Sequence, residues 1–330
     1  MSRKLIIQIP CLNEATTLPV ALRDLPRQVG GFDQVEWLVV DDGSTDGTAE
    51  VARQHGVDHV LQLGHNQGLA RAFMAGIEYA LKLGADVIVN TDADNQYSAA
   101  CIPDLVRPIL EKRALIVVGT RPVTEIEHFS PTKKFLQRLG SWAVKLVSGT
   151  SVEDAPSGFR AIHREAALRL NVFNQYTYTL ETIIQAGRKG IPITSVPVAV
   201  NEYMRPSRLV SSIPSYVKRS ILTIFRIFVI YKPLRFFMLM AAILATPALF
   251  FIFRFLFFYA SGDGSGHVQS LVIAAGLLAV AGILAIGGIL ADLVATNRLL
   301  LEDLRMRILR SEIEKSMQEQ GSRPLDGKSS

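Results

Sequence analysis

Residues 90–96, with the sequence NTDADNQ, carry two carboxylates one residue apart. Alternate residues of an extended segment face the same side, so Asp92 and Asp94 are able to point together. Two carboxylates at this spacing suit a hard divalent cation, which takes oxygen ligands. Such a cation would bridge a bound diphosphate and stabilise it as a leaving group. Because ordinary polar loops show the same spacing, the motif needs support from the rest of the chain.

Polar and acidic residues also end two other apolar segments. Residues 39–48 (VVDDGSTDGT) place Asp42 ahead of a turn, and residues 9–14 (IPCLNE) end in Asn13 and Glu14. Carboxylates in these loops would accept hydrogen bonds from the base or the ribose of a nucleotide. A turn that uses such residues only for its own hydrogen bonds is the alternative.

The elements that must position these residues alternate between two periodicities. Short runs rich in Val and Ile predict buried strands at 5–10, 35–41, 86–90, 115–119 and 193–200. Helical patterns lie between them at 18–25, 48–55, 69–83 and 99–111. The alternation predicts an α/β fold with a mostly parallel sheet. In such sheets ligands bind beyond the carboxyl ends of the strands, where the acidic segments lie.

The composition changes after about residue 209. Residues 236–259 are interrupted only by Arg254, and residues 268–291 are uncharged. Each run is long enough for a hydrocarbon core, which needs ~20 residues. A buried helix of a soluble protein is the alternative, but two such runs in tandem are rare there. We therefore expect two membrane-spanning helices, with Arg254 near the end of the first and able to snorkel.

The charges that flank the two spans predict their orientation. Basic residues before the first span are Lys218, Arg219, Arg226, Lys232 and Arg235, and those after the second are Arg298, Arg305, Arg307 and Arg310. The loop at 261–267 has neither Lys nor Arg. Because Lys and Arg favour the cytoplasmic side, both termini and the α/β domain should be cytoplasmic.

Four regions follow from these patterns. We expect an α/β domain at 1–208, an amphipathic interfacial helix region at 209–233, a transmembrane hairpin at 234–297, and a C-terminal helix with a disordered tail at 298–330. The amphipathic segment would lie on the bilayer surface, pack on the α/β domain, or do both. Small residues four apart, as at Ala275 and Ala279, permit close helix approach, so we expect a homo-oligomer. Packing only within the hairpin is the alternative.

The charge of the chain narrows the function classes. The net charge of +5 and the pI of about 9.2 are compatible with nucleic acid, a membrane surface or an anionic substrate. The basic residues cluster beside the spans, which favours lipid phosphate and no nucleic acid. Cys11 and Cys101 are far apart and lack metal-type spacing, which fits a reducing compartment.

As a set, the three acidic segments resemble family 2 glycosyltransferases of the GT-A fold. The resemblance is to the branch that contains dolichol-phosphate mannose synthases and bacterial polyprenyl-phosphate glucosyltransferases. Further matches are residues 65–72 (HNQGLARA), 118–121 (VGTR) and 153–161 (EDAPSGFRA). The resemblance implies a GT-A (Rossmann-like) domain that binds a nucleotide sugar. It also implies a metal-dependent, inverting hexosyltransferase of the bacterial inner membrane with polyprenyl phosphate, undecaprenyl or dolichyl, as acceptor.

The family pattern implies roles for the matching positions. Nucleotide-binding residues would be Pro10, Asn13, Glu14, Asp42 and Asp92. Mg²⁺ or Mn²⁺ would be held by Asp92, Asp94 and Gln96, and the catalytic residues would be Asp94 and Asp154. The phosphates and the acceptor would be bound by Arg121, Arg160, Arg205 and Arg208. Asp154 would be a base or would orient an arginine.

Several alternatives remain at this stage. UDP-glucose is the first choice of donor, and a GDP-mannose-dependent mannose synthase is the alternative. A processive polysaccharide synthase is disfavoured, because the chain lacks a Gln-x-x-Arg-Trp motif. A non-enzymatic membrane scaffold with a transferase-like domain is disfavoured by the intact Asp42, Asp92 and Asp94. A lipid phosphate is largely dianionic near neutral pH and needs little help from a base.

The orientation of the hairpin is testable by cysteine labelling. A cysteine at Ser265 should react with a membrane-impermeant maleimide added outside intact cells, because the loop is expected to be external. A cysteine at Ser322 is the control and should react only after lysis. Labelling at Ser322 but not at Ser265 in intact cells would reverse the predicted topology.

Overall fold

The computed structural model describes residues 2–121, 144–172, 178–201, 229–262 and 265–321, together with positions 142, 222, 225 and 226. The predicted amphipathic helix lies largely outside the described residues, as do Arg205 and Arg208. The chain divides into two compact units, which are Met1–Val217 with Asp303–Ser330, and Lys218–Glu302.

A sheet of seven strands forms the centre of the described part of the first unit. The strands are β1 (Lys4–Cys11), β2 (Gln34–Asp41), β3 (His59–Gln62), β4 (Val87–Asn90), β5 (Ile116–Thr120), β6 (Arg160–His163) and β7 (Ile193–Pro197). Their order is β3-β2-β1-β4-β6-β5-β7. β6 runs antiparallel to β4 and β5, and the other pairs are parallel. The expected α/β fold with a mostly parallel sheet is therefore confirmed.

Helices cover this sheet. They are α1 (Leu18–Asp24), α2 (Thr48–Gln54), α3 (Leu69–Lys82), α4 (Ile102–Leu110), α5 (Arg164–Arg169) and α6 (Tyr178–Arg188). In α3, Ala70, Phe73, Ile77 and Ala80 are buried at a spacing of three to four residues, which is the apolar stripe of a helix that packs on a core. A Cβ on Gly76 would come within 2.8 Å of Val40, so only glycine lets α3 lie this close to β2.

The strand register brings the acidic segments to one edge. Cys11 of β1 pairs with Asp41 of β2, and Gln8 of β1 pairs with Asn90 of β4. The three strands are adjacent and parallel, so the loops that follow them leave the sheet on the same side.

The second unit contains a helical hairpin. Its helices are α7 (Pro233–Ala260) and α8 (Val268–Gly321), although α8 extends from residue 303 into the first unit. Both helices are long and apolar enough to cross a membrane, and only 11% and 17% of their most apolar windows are buried in the protein. The apolar surface that remains exposed is what a helix in lipid presents.

Small residues hold the two helices of the hairpin together. On α8, Ala274, Ala281 and Gly288 lie seven residues apart, and an added Cβ on Gly288 would come 2.8 Å from Phe237 of α7. A seven-residue repeat keeps one seam facing the partner helix. Arg254, near the end of α7, donates a 2.7 Å hydrogen bond to the hydroxyl of Ser270 on α8. Its charged group therefore has a partner within the hairpin.

Candidate active site

The loops after β1 and β2 are joined by hydrogen bonds. Asn13 adopts a positive φ of 55°, and its side-chain oxygen accepts a 2.9 Å hydrogen bond from the backbone N–H of Thr45. The N–H of Glu14 donates to the hydroxyl of Thr48 at 2.9 Å. Pro10 and Glu14 are buried beside this junction. Pro10 at the end of β1, and Asn13 and Glu14 in the loop after it, therefore belong to a frame of two loops joined by hydrogen bonds.

Asp42 fixes a third loop. Its two carboxylate oxygens accept the backbone N–H groups of Gln67 and Gly68 at 2.8 and 2.9 Å, and the residue is only 3% exposed. Gly43 touches the same loop, because a Cβ there would lie 2.6 Å from the carbonyl carbon of His65. Asp42 was expected to hold the nucleoside, and the structure shows it holding the HNQGLARA segment.

The segment after β4 turns at residues 93 and 94, and Asn95 has a positive φ of 54°, so it is not the extended chain that the spacing predicts. Thr91, Ala93 and Asn95 are buried, whereas the intervening residues are partly exposed. Asp92, Asp94 and Gln96 are therefore the less buried residues of the segment, although they stand on a turn and not on a strand. The backbone N–H of Gln96 donates to Asp94 at 3.2 Å.

The surroundings of Asp92 favour a cation. Burial, and then the neighbouring Asp94 carboxylate, raise the pKa of Asp92 to about 7, although Arg121 and Arg160 act in the opposite direction. An added cation favours the ionised carboxylate. Among the described residues no three His, Cys, Asp or Glu side chains form a metal cluster. The carboxylates of Asp92 and Asp94, with the amide of Gln96, nevertheless offer the oxygen ligands that suit Mg²⁺ or Mn²⁺, which takes further ligands from substrate phosphates.

Asp154 forms an ion pair with Arg121. The Nε of Arg121 donates to Oδ2 at 2.7 Å, its Nη2 donates to Oδ1 at 3.0 Å, and its backbone N–H lies 3.2 Å from Oδ2. The Asp154 side chain is 1% exposed and that of Arg121 is 12% exposed. Two parallel hydrogen bonds of this kind fix the plane of the guanidinium.

Arg160 is fully buried beneath the site. Its guanidinium donates to the carbonyl oxygens of Ala155 and Ser157 at 2.9 and 2.8 Å, and to the hydroxyl of Thr182. Burial lowers the pKa of Arg160 to about 10, so the group stays cationic at neutral pH. These contacts lie in the protein interior and hold the turn that carries Asp154.

Sequence reasoning did not identify the polar residues that support the carboxylates. The Asn90 amide donates to the carbonyl of Gly158 at 2.8 Å and to the Tyr178 hydroxyl at 3.0 Å, and Gln8 donates to Asn90 at 2.9 Å. The Tyr97 hydroxyl accepts the N–H of Gly158 at 3.2 Å. Polar side chains on the buried strands β1 and β4 were the signal that could have revealed this network.

Comparison with known proteins identifies the family. Residues 6–170 match the sequence profile of glycosyl transferase family 2. The chain belongs to glycosyl transferase family 2.

Several relatives carry specific names. An undecaprenyl-phosphate mannosyltransferase from Micrococcus luteus is 29% identical over 59% of this chain and 82% of its own length. A polyprenol monophosphomannose synthase from Mycolicibacterium smegmatis is 25% identical over 61% and 78%. A UDP-N-acetylglucosamine–dolichyl-phosphate N-acetylglucosaminyltransferase from Methanococcus voltae is 29% identical over 60% and 86%.

A solved structure supports the fold. Glucosyl-3-phosphoglycerate synthase from Mycobacterium tuberculosis, in complex with Mn²⁺, UDP and glucosyl-3-phosphoglycerate, has a TM-score of 0.55 and 21% sequence identity. The match covers 69% of this chain and 79% of that chain. The expected GT-A-like architecture is therefore confirmed, with two long apolar helices after it.

Gly158 provides a test of the site. An added Cβ would come 2.9 Å from the Tyr178 hydroxyl and 3.0 Å from both carboxylate oxygens of Asp92. Gly158→Ala should displace Asp92 and weaken the binding of UDP or GDP with Mn²⁺ about tenfold, since overpacking costs ~1–3 kcal/mol. Isothermal titration calorimetry measures this change.

The matched control for this substitution is Gly30→Ala, because nothing lies within 4 Å of a Cβ at Gly30. The control should bind like the wild type. If a folded Gly158→Ala protein bound both nucleotides with wild-type affinity, Asp92 would have no part in the site.

Proposed function

We propose that this protein is a metal-dependent glycosyltransferase that moves a hexose from a nucleotide sugar to polyprenyl phosphate. One combination of features carries the proposal. A family 2 domain with carboxylates at the carboxyl edge of its sheet occurs in the same chain as two helices that are long enough to span a membrane. A lipid acceptor explains both parts. The names of the three relatives, which refer to polyprenyl or dolichyl phosphates, support it.

The donor would bind at the loops that follow β1, β2 and β4. Pro10, Asn13 and Glu14 would contact the nucleoside, within the frame formed by the loops after β1 and β2, while Asp42 holds the adjoining loop at 65–68. Asp92, Asp94 and Gln96 would hold Mg²⁺ or Mn²⁺. When bound, this ion would neutralise charge on the diphosphate as it leaves.

The acceptor supplies the nucleophile. A phosphate oxygen of the lipid attacks the anomeric carbon, the bond from that carbon to the diphosphate oxygen breaks, and the electron pair leaves with the nucleoside diphosphate. Attack from the face opposite the diphosphate inverts the configuration. Because the phosphate is already largely dianionic near neutral pH, the protein mainly positions the reactants and balances charge. Arg121, together with Arg205 and Arg208, would meet the phosphates.

Two nucleotide sugars are candidates for the donor. UDP-glucose fits the resemblance to the bacterial polyprenyl-phosphate glucosyltransferases. GDP-mannose fits the names of the Micrococcus and Mycolicibacterium relatives. The shared chemistry is a nucleoside diphosphate hexose, and parallel assays with both donors separate the two.

The location follows from the flanking charges. Both termini and the transferase domain would lie in the cytoplasm, at the bacterial inner membrane, with lipids around α7 and α8. A homo-oligomer through the hairpin completes the proposal. Ala275 and Ala279 are exposed on α8, whereas Ala281 packs within the hairpin.

The metal role is testable at Asp94. Asp94→Asn keeps the shape of the side chain and removes its charge, so the transfer rate should fall at least about a hundredfold, which corresponds to ~2.7 kcal/mol in the activation free energy. EDTA should abolish wild-type transfer, and Mg²⁺ or Mn²⁺ should restore it. The measurement is transfer of radiolabelled hexose from UDP-glucose or GDP-mannose to polyprenyl phosphate.

The control variant for this assay is Asp104→Asn. Asp104 is an exposed carboxylate that pairs with Arg107 on the same helix, α4. Its rate should match that of the wild type. Full transfer by Asp94→Asn in the presence of EDTA would show that the metal assignment is wrong.

A further inference from the structure

Hydrogen bonds from buried groups stabilise the turn at residues 154–158. The N–H of Ser157 donates to the carbonyl of Asp154 at 3.1 Å, and Arg160 donates to the carbonyls of Ala155 and Ser157. Arg160 is fully buried, so its bonds are shielded from water. The position of the Asp154 side chain is therefore set by the turn rather than by a flexible loop.

Within the described part of the chain, Arg121 is the partner of the Asp154 carboxylate. Both of its oxygens accept hydrogen bonds from the Arg121 guanidinium, and Oδ2 also receives the Arg121 backbone N–H. A general base must reach the proton that it removes, directly or through one water. With a side chain that is 1% exposed and both oxygens engaged, Asp154 is poorly placed for that task.

Arg121 is also constrained on a second side. Its guanidinium carbon lies 5.9 Å from the centroid of the Tyr97 ring, within the range of a cation–π contact. The Tyr97 ring stacks on Phe159 at 5.2 Å, and its hydroxyl accepts the N–H of Gly158. Tyr97 directly follows the Asp92–Gln96 segment, so Arg121 is fixed between the acidic motif and the turn.

We propose that Asp154 is a positioning residue that holds the Arg121 guanidinium for a substrate phosphate, and that it is not the general base. This inference rests on the proposed function and deepens it. A guanidinium whose plane is already fixed loses less conformational freedom when it binds a phosphate. The phosphate belongs either to the lipid acceptor or to the donor diphosphate, and the chemistry of recognition is the same for both.

The pH dependence of Asp154→Asn separates a positioning residue from a base. At high pH the lipid phosphate is fully dianionic, so loss of a base would matter less there. We expect transfer to fall at least about tenfold, by the same factor from about pH 6.5 to about pH 9, since the phosphate pKa lies near 6. A defect that disappears as the pH rises would overturn the proposal.

A double-mutant comparison gives an independent readout. Arg121→Met and the pair Asp154→Asn/Arg121→Met should transfer at equal rates, because a residue that acts only through Arg121 has no effect once Arg121 is gone. A further fall of about tenfold or more in the pair would overturn the proposal. If either single variant does not fold, the pair, which leaves no unbalanced buried charge, is compared with the wild type over the same pH range, and a defect that shrinks as the pH rises would overturn the proposal.

Binding measurements distinguish the two phosphates. An unchanged UDP or GDP affinity in Asp154→Asn, with a raised KM for polyprenyl phosphate, assigns the lipid phosphate. A weakened nucleotide affinity assigns the donor diphosphate, and both results support positioning. If the wild type transfers to no polyprenyl phosphate, the proposed function fails. The pair is then compared with Arg121→Met by nucleotide affinity, where equal values support positioning and unequal values overturn it.

Discussion

Carboxylates that are withdrawn from water at the edge of a sheet require hydrogen-bond donors or positive charge, and this requirement organises the site. The Asp42 carboxylate accepts hydrogen bonds from backbone N–H groups of the loop at 65–68, and the Asp154 carboxylate accepts hydrogen bonds from the Arg121 guanidinium. At Asp92, burial and a neighbouring carboxylate prevail, and the pKa is raised to about 7. The edge thus combines carboxylates that are satisfied by the protein with one that a cation would satisfy.

Buried polar side chains connect the carboxyl edge of the sheet to neighbouring elements. Asn90 ends the strand that precedes the acidic segment Asp92–Gln96, and its amide donates to both Gly158 and Tyr178. The antiparallel strand β6 makes this possible, because it lies beside β4 and brings the turn at 154–158 to the acidic motif. Strands β1 and β4 and the turn that carries Asp154 are therefore parts of one hydrogen-bonded network.

The sequence predicted the strands with long apolar runs, because burial on both faces leaves a continuous Val- and Ile-rich signal. It did not predict β3 or β6, whose four residues, HVLQ and RAIH, have polar ends and depend on neighbouring strands. The sequence predicted an extended segment at Asp92–Asp94, but not the turn at 93–94 or the positive φ of Asn95. The contacts of Asp42 with the loop at 65–68 and of Arg160 with Thr182 were not predictable, since these partners are distant in sequence. The assigned roles of the site residues stay predictions.

The acceptor is the central claim, and product analysis tests it most directly. The purified protein would be incubated with Mn²⁺, polyprenyl phosphate and UDP-glucose or GDP-mannose, and the lipid would be analysed by mass spectrometry. The account predicts polyprenyl phosphate that has gained one hexose, with one nucleoside diphosphate released for each hexose transferred. Hexose found only on a water-soluble acceptor such as 3-phosphoglycerate, with the lipid phosphate unchanged, would contradict it.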